Sequence, residues 1–351
     1  MIRARWLLIG GETLLGQEIR QLVEERKLPI DLVLASAGPQ ERVLTASEGE
    51  LGVIPPLDDV SVEEAPVLIL AGAAETHREA RRLALAARRP PALIDATGAL
   101  ENLAEARVCA PVLDLPPLGC ASQVHVPAHP LAVALARLLA AFQEPRVARS
   151  VVTVFEPVSE RGRAGLDELH QQTVSLLNLK ALPKEIFDAQ VAFNLLPRYG
   201  QDAPLALAAV ERRIDQHLAS LLGPLGLGRP SLRLLHAPVF HGYALNVWLE
   251  FNSPVAADDV ARALAAAAFD VRGPDQEPGS NTATAGESGI TASDLAPDRA
   301  AAHAFWLWLA FDNLRAHADN VLLTAALLSR PLSKGEVSKG DAPKGKGEAR
   351  K

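Results

Sequence analysis

The sequence predicts an α/β protein with two domains, and three observations support this prediction. The chain has 351 residues, more than a single hydrophobic core usually organises. Residues 1–126 alternate short apolar strand-like runs with helical patterns, which is typical of an open parallel sheet. Beyond residue 127, the apolar runs Arg149–Phe155 and Ala244–Phe251 are longer and alternate, as in an antiparallel sheet with one covered face. We therefore expect a Rossmann-like dinucleotide-binding domain followed by an α+β domain.

Composition and charge argue against several classes of protein. The chain is 48% hydrophobic and carries a formal charge of −7. Residues 331–351 hold six Lys or Arg and three Asp or Glu, so they contribute +3 and leave −10 for the rest. An acidic body argues against a nucleic-acid-binding surface. No apolar run reaches the roughly 20 residues of a membrane span, so we expect a cytoplasmic protein without membrane association.

The first βα unit contains a glycine turn. Within Arg5–Glu25 an apolar strand is followed by Gly10-Gly11 and by an amphipathic helix. Gly10 and Gly16 are six residues apart, as in a turn that places phosphate on a helix N-terminus, but Thr13 occupies the middle glycine position. A side chain there narrows the approach to a pyrophosphate. Two interpretations stay open, a dinucleotide site and an ordinary βα turn without a ligand.

The second strand, Asp31–Ala35, ends at Ser36, near the position where Rossmann-like domains recognise the adenosine ribose. An acidic residue there would bind the ribose hydroxyls of NAD, and an arginine would accept the additional phosphate of NADP. Neither is present, and Arg42 is the nearest cation. The sequence therefore does not select between the two cofactors.

Two further units complete the predicted parallel sheet. Val67–Ala71 is a strand followed by Gly72 and by a helix over Glu75–Ala87. Ala92–Asp95 is another short buried strand. We place the end of the N-terminal domain at residue 126.

The second domain is predicted over residues 127–315. It begins with a helix over Pro130–Phe142, and His129 lies at the helix N-terminus, where unpaired backbone N–H groups favour an anion. Further helical patterns cover Gly165–Leu177 and Leu205–Leu222.

The last part of the chain changes composition twice. Residues 272–297 are rich in Gly, Ser, Thr, Asp and Pro without periodicity, so we expect a flexible loop. The apolar run Ala304–Phe311 precedes a C-terminal helix predicted over 316–330. Residues 331–351 are rich in Lys and Gly and cannot bury a core, so we expect a disordered, solvated tail.

Neither cysteine has the setting of a catalytic thiol. Cys109 lies in an apolar run and is expected in the core, whereas Cys120 is expected in a loop. Both thiols are expected to be reduced, because nothing else indicates a secreted disulfide scaffold. No Cys/His cluster has metal-ligand spacing, so no metal site is predicted.

Several segments together carry a family resemblance over nearly the whole chain. The most specific are QVAFNLLP at Gln190–Pro197 and APVFHGYALNVWLEF at Ala237–Phe251. The others are Ile9–Glu18, Leu34–Ser36, Ala71–Gly72, Leu93–Leu100, Val151–Leu169 and Asp312–Arg315. In this order they resemble the aspartate-semialdehyde dehydrogenases, NADP-dependent enzymes of amino-acid biosynthesis. The resemblance implies a Rossmann domain, a mixed-sheet catalytic and dimerisation domain, a C-terminal helix returning to the first domain, and a homodimer.

The family's reaction requires side chains that this sequence replaces. A cysteine thiolate attacks the aldehyde, hydride passes to NADP and phosphate cleaves the thioester, while a histidine handles protons and an arginine holds the substrate carboxylate. By resemblance, the cysteine corresponds to His129 and the active-site glutamine to Glu156. The arginine and histidine correspond to His236 and Tyr243, and the phosphate-binding arginine to Glu101. We therefore expect no intact catalytic set.

The resemblance also assigns cofactor-binding positions. Leu323 stands at the family's C-terminal glutamine, and Thr13 and the missing arginine after the second strand also differ, so we expect NADP binding to be weak or lost. The corresponding positions are Gly10, Thr13, Gly16, Ser36, Gly72 and Gly162.

Two functions stay open from the sequence. The first is a non-catalytic member similar to the Usg-like proteins, a homodimeric binding or regulatory protein whose other partner is unknown. The second is an active NAD(P)-dependent oxidoreductase that acts on an aldehyde or oxo group without a covalent intermediate, with Tyr243 and His236 as acid and base. In either case, Glu101 and Glu156 could form an acidic pocket, and His129 and His236 could meet there and bind a metal or an acid.

Overall fold

The computed structural model describes residues 4–36, 44–47, 50–57, 59–113 and 124–329. Arg42, Cys120 and the predicted tail at 331–351 lie outside the described residues. Among the described residues, no helix combines the length and hydrophobicity needed to span a bilayer.

The N-terminal part of the chain forms a six-stranded parallel sheet with the strand order β2-β1-β5-β6-β8-β7. This confirms the predicted Rossmann-like architecture. The strands β3 and β4 pair separately as an antiparallel hairpin. The elements are β1 (Ala4–Ile9), α1 (Leu14–Glu25), β2 (Ile30–Ala35), β3 (Leu44–Ser47), β4 (Glu50–Val53), α2 (Asp59–Glu64), β5 (Val67–Leu70), α3 (Ala74–Ala86), β6 (Ala92–Asp95), β7 (Ala106–Cys109) and β8 (Val124–Pro127).

The second part of the chain forms a six-stranded mixed sheet with the strand order β10-β9-β11-β14-β13-β12. The inner pairs are antiparallel, whereas the edge strands β10 and β12 run parallel to their neighbours. The elements are α4 (Pro130–Ala140), β9 (Val147–Glu156), α5 (Gly162–Leu177), α6 (Leu207–Leu222), β10 (Ser231–His236), β11 (Tyr243–Phe251), α7 (Ala257–Ala266), β12 (Asp270–Val271), β13 (Thr291–Pro297), β14 (Ala304–Phe311) and α8 (Asn313–Leu328).

Both faces of the parallel sheet are covered. Successive residues of β1 point to opposite faces, so Leu7 and Ile9 pack with Ala80 of α3 while Trp6 and Leu8 pack against α1 and α8. Burial of such side chains stabilises the fold by about 2 kcal/mol each. The helix residues on the second face are Ile19, Leu22, Ala318, Val321, Leu322 and Ala325. The C-terminal helix therefore packs on the first sheet.

The prediction of a flexible loop over 272–297 is wrong in its last seven residues, because Thr291–Pro297 is the strand β13. Thr291 and Ala292 pair with Ala310 and Leu309 of the apolar strand β14 and are buried. Pairing with a hydrophobic neighbour outweighs the low strand propensity of the local composition.

The helix α8 begins at Asn313, earlier than the predicted start at 316. The carboxylate of Asp312 accepts a hydrogen bond of 3.0 Å from the Arg315 N–H and so caps the helix. The cap places Asn313 and His317 beside a cavity at the carboxyl edge of the parallel sheet.

Candidate functional site

A cavity of about 260 Å³ lies at the carboxyl edge of the parallel sheet, where the N-terminal ends of α1, α4 and α8 meet the connection between β9 and α5. Ligands of open α/β sheets bind at this edge. The residues that line it are Thr13, Leu14, Leu15, Ala71, Ala96, Thr97, His129, Pro130, Ser159, Glu160, Gly162, Arg213, Asn313, Leu314 and His317.

His129 is the N-cap of α4. Its Nδ1 accepts a hydrogen bond of 3.3 Å from the Leu131 N–H, and its Nε2 lies 3.5 Å from the Glu160 carboxylate. Nδ1 must be unprotonated to accept, so the proton belongs on Nε2, directed at Glu160. Burial lowers the pKa of His129 although Glu160 opposes this effect, and the nearby charge of Arg213 lowers it further. The ring is therefore neutral, and both nitrogens are engaged.

Glu160 is the anionic group of this cavity, and the resemblance did not assign it a role. Burial raises the pKa of Glu160, but the hydrogen bonds from His129 and Asn313 and the charge of Arg161 outweigh burial and hold the pKa below its ordinary value. Asn313 Nδ2 donates to Glu160 Oε1 over 2.7 Å. Glu160 is thus ionised at neutral pH and held by α8.

Glu101 does not leave an uncompensated negative charge. Arg213 Nε donates to Glu101 Oε2 over 2.8 Å, and His217 Nε2 lies 3.4 Å from the same oxygen. His217 Nδ1 in turn accepts from the His129 backbone N–H over 2.9 Å. Burial raises the pKa of Glu101, but His217 and Arg213 outweigh it and lower the pKa. These contacts tie Glu101 to the turn before α4.

Glu156 is fully buried, and its hydrogen-bond partners are Arg161 and Tyr199. Its two carboxylate oxygens each lie 3.3 Å from the guanidinium of Arg161, and Tyr199 Oη donates to it over 3.2 Å. Burial raises the pKa of Glu156 to about 7 despite the opposing charge of Arg161. The prediction that Glu101 and Glu156 together form an acidic pocket is therefore wrong. Each carboxylate has its own cationic partner, Arg213 for Glu101 and Arg161 for Glu156.

His236 and Tyr243 are both fully buried and are absent from the lining of the cavity. Burial lowers the pKa of His236 to about 4, and its Nδ1 lies 3.3 Å from Tyr199 Oη. Burial and the carboxylates of Glu160 and Glu156 raise the pKa of Tyr243 well above its ordinary value. Both shifts move these groups away from the range that proton transfer at neutral pH requires.

The two histidines predicted to meet, His129 and His236, have different partners. His129 faces Glu160, and its ring centroid lies 6.1 Å from that of Tyr243. His236 packs with Tyr199. Among the described residues, no group of three or more His, Cys, Asp or Glu side chains could hold a metal ion.

Three of the predicted cofactor glycines serve close packing. Gly10 has a φ of +84°, and a Cβ there would collide with Gly72 at the end of β5. A Cβ on Gly16 would collide with the Gly10 carbonyl. These contacts bring α1 against β1 and β5, the role that glycines have in a Rossmann turn.

Thr13 occupies the N-terminus of α1. Its hydroxyl accepts from the Gly16 N–H over 3.0 Å and donates to the carbonyls of Gly10 and Ala71. One of the N–H groups at this helix N-terminus is therefore already satisfied within the protein.

Of the last two predicted cofactor-binding positions, Gly162 lines the cavity and Ser36 does not. Gly162 lines it with a φ of +61° and open space where a Cβ would stand. Ser36 is absent from the lining and forms a backbone bridge to the segment Pro55–Leu57.

Sequence reasoning missed Glu160, Arg213 and His217. Glu160 stands inside a segment that carries the resemblance, but its contact with His129 spans elements that only the fold brings together. Arg213 and His217 are four residues apart on one face of α6, a spacing that signals a shared contact. Cys109 is buried in the core and free, as predicted.

Comparisons with known proteins agree with this architecture. Residues 135–316 match the family described as semialdehyde dehydrogenase, dimerisation domain. The chain is 28% identical to an aspartate-semialdehyde dehydrogenase of Rickettsia bellii, over 89% of this chain and 93% of that one. It is 31% identical to a USG-1 protein homolog of Azotobacter vinelandii, over 92% and 96%. A solved probable aspartate-semialdehyde dehydrogenase of Pseudomonas aeruginosa superposes with a TM-score of 0.78 at 27% identity, over 93% and 99%.

Proposed function

The chain belongs to the semialdehyde dehydrogenase family, and we propose that it has lost the family's covalent dehydrogenase reaction and keeps the scaffold for binding or regulation. The observation that carries this proposal is the hydrogen bonding of His129. Its Nδ1 lone pair accepts from the Leu131 N–H, and its Nε2 faces the Glu160 carboxylate. A nucleophile needs a free lone pair directed at the carbonyl carbon, and neither ring nitrogen offers one.

The surroundings of His129 support the same proposal. A covalent dehydrogenase must bind an anionic substrate and move a proton at neutral pH. The ionised carboxylate of Glu160 faces the cavity, while the guanidinium of Arg213 is paired with Glu101. An incoming carboxylate or phosphate would therefore meet a negative charge beside His129.

The alternative of a non-covalent oxidoreductase requires Tyr243 and His236 as acid and base. Tyr243 has a strongly raised pKa and His236 a lowered pKa of about 4, and neither lines the cavity. These properties favour a structural role for both side chains.

The homodimer implied by the family is part of the proposal, and one sheet face is suited to it. Val151, Trp248 and Trp306 lie side by side across β9, β11 and β14, according to the strand register. Val151 and Trp306 are 44% and 40% exposed. An exposed apolar row on a sheet is a typical protein contact surface.

A turnover assay tests the loss of activity. The purified protein is incubated with NADP, phosphate and aspartate semialdehyde, and reduced nicotinamide is followed by absorbance. We expect a rate equal to that of a His129→Ala control. Turnover in the unaltered protein that the His129→Ala variant lacks would overturn the proposal. We also expect no activity in His129→Cys, since His236 and Tyr243 would still replace the arginine and histidine.

A further inference from the structure

Three buried side chains, Glu156, Tyr199 and His236, form a hydrogen-bonded chain outside the lining of the cavity beside His129. Glu156 and His236 end the neighbouring strands β9 and β10, and Tyr199 lies in the connection between α5 and α6. Tyr199 Oη lies 3.2 Å from Glu156 Oε2 and 3.3 Å from His236 Nδ1. His236 Nε2 lies 3.4 Å from the carbonyl oxygen of Val191. Three separate segments therefore meet in one polar chain inside the core.

This chain is one proton short when Glu156 is ionised. The Val191 oxygen can only accept, so the hydrogen of a neutral imidazole belongs on Nε2 of His236, and Nδ1 is an acceptor. The Tyr199 hydroxyl has a single proton and lies between two acceptors, Nδ1 and the Glu156 carboxylate. Tyr199 can therefore satisfy only one of them, and an unpaired buried acceptor destabilises the folded state.

One additional proton on Glu156 completes the chain. The carboxyl group then donates to Tyr199 Oη, the Tyr199 hydroxyl donates to His236 Nδ1, and Nε2 donates to Val191. A proton on Nδ1 would also complete the chain, but it would leave two buried charges, an imidazolium and a carboxylate, where the first arrangement has none. Burial acts in the same direction, because it raises the pKa of Glu156 to about 7 and lowers the pKa of His236 to about 4.

The charges that face Glu156 also favour a proton there. Arg161 is the cation of this cluster, and its guanidinium lies 3.3 Å from each Glu156 oxygen. The charge of Glu160 acts on both Arg161 and Glu156. Tyr243 faces the two carboxylates from β11 and stays neutral, because burial raises its pKa well above the ordinary value. Ionisation of Glu156 would therefore leave two buried carboxylates with one guanidinium.

The chain holds one end of the segment 191–199. At the start of this segment, Gln172 Oε1 accepts from the N–H groups of Val191 and Ala192 over 2.7 and 3.2 Å. At its end, Tyr199 is held by the other two members of the chain. Gln172 does not titrate, so pH acts on the Tyr199 end alone.

The residues between these two ends are exposed and apolar. Phe193 is 69% exposed and Leu195 is 61% exposed. Phe193 has a φ of +57°, a conformation that a bulky residue keeps only where its surroundings impose it. Leu196 exchanges backbone hydrogen bonds of 3.3 and 2.8 Å with His236. The conformation of this segment therefore depends on the position of His236.

We propose that Glu156, Tyr199 and His236 form a pH-sensitive latch on residues 193–199. The latch is closed while Glu156 carries a proton. Loss of this proton at mildly alkaline pH breaks the Tyr199–His236 hydrogen bond and loosens the segment. The latch is independent of the proposed loss of catalysis, because none of its three members lines the cavity beside His129.

Hydrogen exchange of the full chain, followed by NMR, tests the latch. Two amides report on the segment, since the Leu196 N–H donates to His236 and the Gly200 N–H donates to the Phe187 carbonyl. Protection is taken as the ratio of the exchange rate of an unstructured peptide to the observed rate at the same pH. We expect this protection to fall about tenfold between about pH 6 and about pH 8.5. Protection that is the same at both pH values would overturn the proposal.

Three variants assign the titration. Glu156→Gln keeps a donor to Tyr199 at every pH, so we expect high protection without pH dependence. Tyr199→Phe removes the central hydroxyl, and we expect low protection at both pH values. Glu250→Gln is the matched control, because Glu250 lies on β11 and pairs with Arg149, outside the chain, and should behave like the unaltered protein. Unchanged pH dependence in a Glu156→Gln variant with a native circular dichroism spectrum would contradict the assignment.

Discussion

His129 lies at a helix N-terminus, which stabilises the charged form of a cysteine but destabilises the charged form of a histidine. Backbone N–H groups and the helix dipole stabilise a thiolate, which makes a cysteine reactive there. The same groups disfavour an imidazolium and supply a donor to Nδ1, as the Leu131 N–H does here. If His129 stands where the family has its cysteine, as we propose, one substitution removes the nucleophile and supplies a helix cap.

The sequence placed His129 correctly at a helix N-terminus, since Pro130 and the apolar periodicity mark that boundary. It did not reveal Glu160 or His217 as partners, because both contacts join elements far apart in the chain. The prediction of an acidic pocket at Glu101 and Glu156 was wrong for the same reason, because the arginines that pair with them are brought close only by the fold. Charge reversal is visible in a sequence, but the compensating arginine becomes visible only in the fold.

Glu156 gives a testable pH dependence. Its pKa is raised from 4.5 to about 7 in the folded protein, so the folded state holds the proton more tightly than the unfolded chain. The corresponding stability is fully present below pH 4.5 and is lost as the pH rises to about 7, by about 3 kcal/mol. We expect Glu156→Gln to become more stable relative to the unaltered protein across this window. Urea unfolding at several pH values measures the difference, and a difference independent of pH would refute the assignment.

At the level of elements, the turn between β1 and α1 shows how a Rossmann domain brings strand and helix into close contact. Gly10, Gly16 and Gly72 allow the close packing of strand and helix. The hydroxyl of Thr13 bonds to the Gly16 N–H at the helix N-terminus. The glycine spacing therefore predicts the fold more securely than it predicts which ligand the fold binds.

NADP binding tests the interpretation that the Thr13 hydroxyl occupies an N–H group that a phosphate would otherwise bind. We expect the unaltered protein to bind NADP more weakly than about 1 mM, and Thr13→Gly to bind it more tightly because the Gly16 N–H becomes available. Thr13→Ser is the matched control, since it keeps the capping hydroxyl, and should behave like the unaltered protein. Calorimetry measures all three, and micromolar affinity of the unaltered protein would contradict the expectation.

Strand β13 marks the limit of local sequence reasoning. Its residues Thr291 and Ala292 have neither the alternation nor the apolar character of β11 and β14. They are strand residues because β14 supplies a hydrophobic partner on one side. Long elements with strong periodicity were predictable, whereas β13 depends on a neighbour that the local pattern does not contain.

At the level of the whole molecule, the apolar row on the mixed sheet predicts how two copies associate. Trp306→Glu places a charge in the centre of this row and should convert a dimer into a monomer. Leu85→Glu is the control, because Leu85 is 48% exposed on α3, away from the mixed sheet. Analytical ultracentrifugation distinguishes the two species. A Trp306→Glu variant that remains dimeric would place the interface elsewhere.

The proposed loss of covalent catalysis can be tested most directly by the mass of the intact protein. Incubation with aspartate semialdehyde and NADP in the absence of phosphate would leave an acyl group on an active nucleophile, because the acceptor that releases it is missing. The engaged nitrogens of His129 predict an unmodified chain. An acyl adduct located at residue 129 by peptide mapping would show that the reaction persists and would contradict the account.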